Sequence, residues 1–331
     1  MSCARIPLAV LLLHPGGFPD AQEAKRGHTG AGVGGCCAPP LSPFFAVQCP
    51  RVPRPPNWLK MQNDRQTILD SICLSKNLTN LKRKLDEHVA RQLFVDENYK
   101  FIYCEVPKVG CTNWKKIVLL LTLNLSRHAF EVSQDEIHKT NLLKRLSSYP
   151  SKQQAKLLNS FTKVMFTRHP LERLVSAYRD KLLHDEPYYR TTVANEIKAM
   201  FRKDNNFTGA VTFQEFVNYV VTRSNEYLDV HWKPMFQLCD PCNIHYDILG
   251  KYETLGEDVS HTLSRIGVTE IVRYPDSKFY TQRTNKKLTI QYLKKLDWNQ
   301  MEKLMKLYQP DFSLFNYTFT KPQFFAEGTE V

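Results

Sequence analysis

The sequence predicts an α/β fold in which helices cover both faces of a mainly parallel sheet, as a three-layer sandwich. Three short apolar segments rich in strand-forming residues, 101–106, 163–167 and 244–249, alternate with helical patterns. Strands that alternate with helices form parallel sheets, because each helix returns the chain to start the next strand in the same direction. Ligands of such sheets bind at the carboxyl ends of the strands.

The predicted helices follow the strands in order. Apolar residues recur at helical spacing after each strand: Trp114, Ile117, Val118 and Leu121 after the first, Leu171, Leu174, Val175 and Tyr178 after the second, and Val259, Leu263 and Ile266 after the third. Gly256 opens the third of these helices and Gly267 ends it. Segments 213–221 and 288–307 are predicted to be two further amphipathic helices.

The N-terminal part of the chain differs in composition from the rest. Residues 1–60 hold 10 of the 19 prolines and 7 of the 13 glycines. Because proline and glycine at this density disfavour a packed core, residues 1–64 are predicted to be a low-complexity or disordered arm. Residues 65–331 are predicted to form one globular domain.

The first predicted strand runs into a turn that favours an anion. Pro107 cannot donate to a sheet, so the strand ends there, and a helix begins near Thr112 or Asn113. The free amides and the dipole of that helix attract an anion, Gly110 lets the backbone approach it, and Lys108 adds a positive charge. The predicted anion loop comprises Pro107, Lys108, Val109, Gly110, Cys111, Thr112 and Asn113. Taken alone, this loop also fits an ordinary strand-to-helix connection with a surface lysine.

The second predicted strand leads into a similar turn. Pro170 begins the helix, where its missing amide hydrogen costs nothing, and Glu172 lies in the first turn, where the dipole favours a carboxylate. Arg173 and Ser176 are neighbours on one helix face, and Arg168 approaches them from the strand end. Arginine and hydroxyl groups in this arrangement suit a terminal phosphate. The predicted phosphate segment is Arg168, His169, Pro170, Leu171, Glu172, Arg173, Leu174, Val175 and Ser176.

The two turns resemble the donor loops of the Golgi carbohydrate sulfotransferases. The first is similar to their 5′-phosphosulfate loop and the second to their 3′-phosphate motif. The resemblance runs from about Leu93 to Tyr317 and includes segments 229–232, 238–242, 246–247, 250–255 and 311–317. It points to the branch that sulfates chondroitin, dermatan and terminal N-acetylgalactosamine at O-4, with the HNK-1 sulfotransferase as a more distant relative.

The resemblance implies the P-loop-like sulfotransferase fold and the co-substrate 3′-phosphoadenylyl sulfate. The implied reaction transfers the sulfuryl group to a sugar hydroxyl, at O-4 of N-acetylgalactosamine in chondroitin, dermatan or a related glycan. An N-glycan or an HNK-1-type terminus is the alternative acceptor. In-line transfer depends on positioning and on stabilising charge at the leaving oxygen, so Lys108 is the predicted catalytic cation and no metal is expected.

A base must also take the proton of the acceptor hydroxyl. His231 is the first candidate, because histidine titrates near neutral pH and the neighbouring Trp232 offers a face for stacking on a sugar. His138 and Glu105 remain as alternatives.

The charge of the chain limits its partners. The formal net charge is +12, and a cationic surface attracts polyanions such as glycosaminoglycans. Nucleic acid is not expected, because no zinc-finger spacing, basic leucine zipper or aromatic RNA-binding signature is present. A nucleotide kinase is disfavoured because the anion loop lacks the Gly-Lys-Ser/Thr ending. A non-catalytic basic glycan-binding protein is the other alternative.

Several features favour a secretory compartment. Asn77, Asn124, Asn206 and Asn316 begin glycosylation sequons. The enzymes that the chain resembles are type II Golgi membrane proteins with a lumenal catalytic domain and an N-terminal anchor. Residues 6–13 form an apolar segment much shorter than the roughly 20 residues that span a bilayer, so the anchor is predicted to be missing or replaced.

The cysteines of the globular part predict at least one disulfide bond. Cys239 and Cys242 are predicted to form structural disulfides, with each other or with another cysteine, because no second half of a zinc site follows them. Cys104 and Cys111 are predicted to stay reduced, since one lies in a buried strand and the other in the anion loop.

Overall fold

The computed structural model describes residues 57–80, 84–125, 128–133, 136–137, 141–184, 186–203, 208–268, 272, 274–275 and 283–319. Residues 1–56 of the predicted arm, the candidate base His138 and the sequon Asn206 therefore lie outside the described residues. Helix α1 begins at Trp58, where the Asn57 side chain accepts a hydrogen bond from the Leu59 amide at 3.1 Å. The predicted boundary between residues 64 and 65 thus falls inside a helix.

The central sheet has four strands in the described part of the chain. They are β1 Leu93–Asp96, β2 Phe101–Cys104, β3 Thr162–Thr167 and β4 Ile248–Lys251, and they lie in the order β1-β2-β3-β4. The β1 strand pairs antiparallel with β2, whereas β2 with β3 and β3 with β4 are parallel pairs. The predicted α/β fold with a mainly parallel sheet is confirmed.

Helices occupy most of the remaining described residues. Their bounds are α1 Trp58–Ser75, α2 Glu87–Gln92, α3 Cys111–Thr122, α4 Ser151–Ser160, α5 Pro170–Leu182, α6 Ala194–Phe201, α7 Phe213–Thr222, α8 Met235–Cys239, α9 Pro241–Ile244, α10 Leu255–Arg265, α11 Lys286–Leu293 and α12 Trp298–Leu314. A π-helical turn, Tyr189–Val193, leads directly into α6.

Two predicted elements differ from the structure. The third strand begins at Ile248 instead of residue 244, because residue 244 is the last residue of the short helix α9 and His245 caps that helix in a left-handed conformation with φ 55°. The single helix predicted over 288–307 is wrong, since the segment divides into α11 and α12. Asp297 starts α12 by accepting a hydrogen bond from the Gln300 amide at 2.7 Å, and this local cap overrides the continuous amphipathic pattern.

Two clusters of buried side chains divide the molecule. The first, which we call the sheet core, contains the strands and α3 and includes Tyr103, Trp114 and Phe166 as fully buried aromatic residues. The second, which we call the helical core, contains buried residues of α5, α6, α7, α11 and α12. Strand β3 lies in the sheet core and the helix that follows it, α5, lies in the helical core. The carboxyl end of β3 is therefore a junction between the two cores.

Two disulfide bonds tie distant parts of the sheet core together. Cys73 bonds to Cys242 and Cys104 bonds to Cys239, with Cα atoms 5.5 and 6.0 Å apart. Disulfide use by Cys239 and Cys242 is confirmed, although they do not bond to each other. The prediction that Cys104 stays reduced is wrong, because α8 brings Cys239 within bonding range of the end of β2. Cys111 is a free thiol, as predicted.

Candidate active site

The anion loop connects β2 to α3 through two residues in left-handed conformations. Lys108 has φ 72°, and Gly110, which caps α3, has φ 92°. The helix begins at Cys111, one residue before the predicted start at Thr112 or Asn113. In the first turn of α3, the Asn113 amide donates to the Gly110 carbonyl at 3.1 Å, which leaves the amides of Cys111 and Thr112 for an anion.

Gly110 is required by a close approach as well as by its φ angle. The Tyr274 hydroxyl donates a hydrogen bond to the Gly110 carbonyl at 3.2 Å. A Cβ atom at position 110 would overlap the Tyr274 hydroxyl oxygen. A side chain at this position would therefore displace the tyrosine.

Lys108 reaches across to helix α5. Its Nζ lies 3.2 Å from the Asp180 carboxylate, which Lys181 also approaches at 3.5 Å. Burial lowers the pKa of Lys108, against the opposing effect of Asp180. Burial alone would raise the pKa of Asp180, but the two lysines outweigh it and the pKa is lowered. The ion pair thus holds the Lys108 side chain, which is 19% exposed, against an Asp180 side chain that is 44% exposed.

Arg168 joins the phosphate segment to the anion loop. Its guanidinium is buried and donates to the Lys108 carbonyl at 3.1 Å and to the Thr284 carbonyl at 2.5 Å. The Tyr252 ring lies 4.1 Å from its Cζ atom, and its Nε has no hydrogen-bond partner among the described residues. A buried, unsatisfied donor on a cation is a group that an anionic ligand would complete.

The residues next to Arg168 shape the turn. The His169 amide donates to Glu253 at 2.8 Å, and burial lowers the pKa of the His169 ring. Pro170 is the first residue of α5, as predicted, and Glu172 lies 3.7 Å from the Arg168 guanidinium. Burial raises the pKa of Glu172.

The rest of the phosphate segment divides by burial. Leu171, Leu174 and Val175 are buried in the helical core, so they fix the position of α5 and present no side chain to a ligand. Ser176 is half-buried on the same helix. Arg173 is fully buried, and all three of its nitrogens donate to backbone carbonyls, those of Pro107, Lys233 and Val230. Arg173, which the sequence places in the phosphate segment, therefore directs a donor on each of its nitrogens to the protein backbone.

His231 belongs to a side-chain triad. Its Nδ1 lies 2.7 Å from Asp229 Oδ1 and 2.9 Å from the Tyr189 hydroxyl, which also donates to Asp229 Oδ2 at 2.9 Å. Burial would raise the pKa of Asp229, but the hydrogen bonds from His231 and Tyr189 outweigh it and the pKa is lowered. An ionised carboxylate at Nδ1 fixes the proton there and leaves Nε2 as the lone-pair nitrogen. The ring is thus oriented for accepting a proton at Nε2.

The comparisons with known proteins agree with this geometry. Residues 91–318 match the Sulfotransferase family. The chain belongs to this family. Human carbohydrate sulfotransferase 9 is 35% identical over 78% of this chain and 60% of its own length. Carbohydrate sulfotransferase 10 of Xenopus laevis is 32% identical and carbohydrate sulfotransferase 11 of Mus musculus 34% identical, each over 78% of this chain and 76% of the relative. No solved structure matches the chain significantly.

The predicted sulfotransferase family is therefore confirmed, and the relatives are named as carbohydrate sulfotransferases. The chain spans 60% of the length of the human relative. The names do not state an acceptor.

The structure also bears on the predicted sugar-stacking face, Trp232, and on the alternative proton acceptor, Glu105. Trp232 is buried in the helical core, with its ring packed edge-on against Phe216 at 5.3 Å, so its predicted role as a sugar-stacking face is wrong. Glu105 forms ion pairs with Lys115 and Arg145. Burial opposes them, yet together they lower the pKa of Glu105, which makes its carboxylate a poor proton acceptor.

A large cavity of this sulfotransferase borders the anion loop. Its volume is 1210 Å³, and its lining includes Tyr252, Glu253, Gly256, Tyr274 and Arg283. Because Tyr274 hydrogen-bonds Gly110 and the Tyr252 ring covers Arg168, the cavity opens next to both donor loops. Its size is sufficient for a nucleotide.

The remaining site predictions concern glycans, metals and membranes. Asn77, Asn124 and Asn316 are exposed and follow the ends of α1, α3 and α12 in left-handed conformations, with φ 50°, 51° and 49°. Asparagine tolerates this conformation better than most residues, so helix capping also accounts for these asparagines.

Within the described ranges, no group of three or more His, Cys, Asp or Glu residues could hold a metal, and no helix is long and apolar enough to cross a bilayer.

Proposed function

We propose that this protein transfers the sulfuryl group of 3′-phosphoadenylyl sulfate to a hydroxyl of a glycan. The proposed acceptor position is O-4 of N-acetylgalactosamine in chondroitin, dermatan or a related glycan, with an N-glycan or HNK-1-type terminus as the alternative. The observation that carries the proposal is the position of Arg168, whose buried guanidinium bonds to the Lys108 carbonyl and so joins the two donor loops.

The donor loops fit a nucleotide with an anion at each end. At one end, the free amides of α3 and the Lys108 ammonium face the place where a 5′-phosphosulfate would lie. At the other end, Arg168 Nε lacks a partner among the described residues, and Ser176 lies in α5, the helix that follows Arg168. The nucleoside between them would occupy the cavity lined by Tyr252 and Tyr274.

Lys108 and His231 have complementary roles in this reaction. His231 Nε2 accepts the proton of the acceptor hydroxyl while that oxygen forms its bond to sulfur. The bond between sulfur and the bridging phosphate oxygen breaks in the same displacement, and the Lys108 ammonium stabilises the negative charge that develops on the leaving phosphate. Asp229 and Tyr189 hold the His231 ring in the required orientation throughout.

The location and partners follow from the resemblance and from charge. A lumenal domain of a Golgi membrane enzyme would meet glycosaminoglycan and glycoprotein acceptors, and it would carry glycans at Asn77, Asn124, Asn206 or Asn316. The net charge of +12 favours anionic acceptors through long-range attraction. No metal is required in this scheme, because Lys108 and the helix amides supply the positive charge.

Transfer of labelled sulfate tests the proposal. Purified protein is incubated with labelled donor and with desulfated chondroitin, desulfated dermatan or N-acetylgalactosamine-terminated N-glycans, and the sulfated position is mapped. Lys108→Ala is expected to lower kcat by roughly 10²- to 10³-fold, the usual loss for one electrostatic stabiliser. Lys144→Ala removes an exposed lysine that pairs with Glu97 and serves as the control, with kcat unchanged.

Two outcomes would contradict the proposal. Wild-type protein that moves no sulfate to any of these glycans, yet binds chondroitin sulfate in a salt-sensitive way, would favour a non-catalytic glycan-binding protein. Full activity of Lys108→Ala would remove that residue from the mechanism while leaving the reaction itself established.

A further inference from the structure

We propose that Arg173 is a positioning residue that fixes the anion loop, 107–113, relative to the loop that carries His231, 229–233. We further propose that Arg173 does not bind the donor phosphate. The inference rests on the proposed function, because it concerns how Lys108 and His231 are kept together. It assigns to Arg173 a role different from that of its neighbours Arg168 and Ser176.

The contacts of Arg173 span both loops. Its Nε donates to the Pro107 carbonyl at 2.9 Å, its Nη2 to the Val230 carbonyl at 2.7 Å and its Nη1 to the Lys233 carbonyl at 2.7 Å. Pro107 immediately precedes Lys108, and Val230 immediately precedes His231. One planar, rigid group thus fixes the backbone on the N-terminal side of both reactive residues.

The burial of Arg173 agrees with a positioning role. Only 1% of the residue is exposed, and Arg173 forms no ion pair with a carboxylate among the described residues. A buried cation is costly unless its donors are satisfied, and here backbone carbonyls satisfy each nitrogen. Carbonyls satisfy these donors without neutralising the charge, and the Arg173 Nε lies 2.9 Å from the Pro107 carbonyl at the start of the anion loop.

The same contacts argue against phosphate binding. A bidentate fork needs two donors directed at the ligand, but three of the five N–H groups of Arg173, one on each nitrogen, already donate to backbone carbonyls. Arg168 differs, because its Nε has no partner among the described residues. The two arginines of the phosphate segment therefore have separate roles, one toward the ligand and one toward the backbone.

The test separates positioning from phosphate binding by two measurements on Arg173→Lys and Arg173→Gln. The first is kcat with labelled donor. The second is the ratio of the affinities for 3′-phosphoadenosine 5′-phosphate and adenosine 5′-phosphate, which isolates the 3′-phosphate. We expect kcat to fall by about 10²-fold, the effect of a displacement of about 1 Å between reacting groups, while the affinity ratio stays within about twofold of wild type.

A double-mutant cycle excludes a loss of activity that comes from weakened folding alone. In a His231→Ala background, Arg173→Gln is expected to lower kcat by less than it does in the wild type, because part of its effect acts through His231. Arg202→Gln is the matched control, since this arginine also donates to backbone carbonyls and pairs with Glu215, far from the donor loops in sequence. It is expected to lower the melting temperature without changing kcat or the affinity ratio.

A measurement on the wild type covers the case in which no Arg173 variant folds. Binding of 3′-phosphoadenosine 5′-phosphate is expected to slow amide hydrogen exchange in residues 229–233 as well as in 107–113, because one guanidinium links the two segments. Protection confined to 107–113 would overturn the proposal. An affinity ratio that collapses in Arg173→Gln, or an undiminished kcat, would overturn it as well. Absence of any sulfate transfer by wild type would instead refute the proposed function.

Discussion

The donor side and the base side of the site are built in different ways. On the donor side, the reactive groups lie on turns that directly follow β2 and β3, and their buried arginine contacts backbone carbonyls. On the base side, side-chain hydrogen bonds join Asp229, His231 and Tyr189, and the His231 amide adds one bond to Asp229 at 2.8 Å. Tyr189 comes from a π-helical turn 40 residues away from Asp229. The first arrangement depends on local backbone geometry and the second on long-range packing of the helical core.

This difference predicts how each side responds to substitution. On the donor side, changes to the backbone of the turns or to the groups that support them should first lower the affinity for the donor. On the base side, loss of the Tyr189 hydroxyl should slow proton transfer and leave the affinity for the donor unchanged. Variants that affect both quantities equally would show that the two sides are not separate.

The largest effect is expected from the disulfide beneath the donor side. Cys104 lies three residues before Pro107, and its bond to Cys239 closes a sequence separation of 135 residues. The double variant Cys104→Ala and Cys239→Ala is expected to lower the free energy of unfolding by about 2–5 kcal/mol, measured by denaturant titration. Cys111→Ser removes only a free thiol and is the control for this stability measurement. A loss as small as that of the control would mean that packing alone holds the end of β2.

A second large effect is expected at Gly110. Gly110→Ala combines a left-handed backbone with overlap onto the Tyr274 hydroxyl, and each of these costs about 1–3 kcal/mol. The affinity for 3′-phosphoadenosine 5′-phosphate, measured by calorimetry, should fall by about 10²-fold as the loop shifts. Gly209 also has a positive φ, 69°, but its surroundings are open. Gly209→Ala therefore reports backbone strain alone, and an equal loss of affinity in both variants would contradict the close-approach argument.

The base side is tested by a smaller change. Tyr189→Phe removes one hydroxyl that orients His231 and Asp229, and loss of such an orienting group is expected to lower kcat by about tenfold. The affinity for 3′-phosphoadenosine 5′-phosphate should not change. Tyr219→Phe, which removes a hydroxyl bonded to Glu196 in the same helical core, is the control. A reduced donor affinity in Tyr189→Phe would show that the base side also supports the donor side.

The same difference explains what could be predicted from the sequence. The donor turns were predictable because proline, glycine and helix-start signals act within a few residues, as at Pro107, Gly110 and Pro170. The candidate base His231 was found from its residue type, but Tyr189 was not, because nothing in the sequence near it indicates that a π-helical turn directs its hydroxyl toward Asp229. The position of Trp232 next to His231 also suggests a face for stacking on a sugar, whereas packing of the helical core buries this side chain.

Pairings between distant residues escaped prediction for a related reason. The bond of Cys104 to Cys239 depends on how α8 packs against the end of β2, and the role of Arg173 depends on where the loop 230–233 lies. Neither position leaves a periodic or local signal. From residue type alone, Cys104 is therefore expected to be a reduced thiol and Arg173 to be part of the phosphate site.

The smallest predicted effect concerns Asp311, which links the two cores. It lies in α12, and its carboxylate accepts hydrogen bonds from the Met235 and Phe236 amides at 2.7 and 2.9 Å, at the start of α8. Burial raises the pKa of Asp311 from 3.8 to about 6, despite these hydrogen bonds. Because the folded state holds the proton more tightly than the unfolded state, this group's stabilisation is fully present below pH 3.8 and is lost as pH rises through about 6.

Asp311→Asn removes this pH dependence. The free energy of unfolding of the wild type, relative to that of the variant, should therefore fall by about 1 kcal/mol between about pH 5 and pH 7, as measured by thermal denaturation at both values. Asp297→Asn, at the exposed start of α12, keeps a capping side chain and is the control, with no such difference expected. A wild type that gains stability over the variant as pH rises would mean that the two amides of α8 hold Asp311 ionised. The junction of the two cores would then be a fixed charge throughout the neutral range instead of a group that titrates within it.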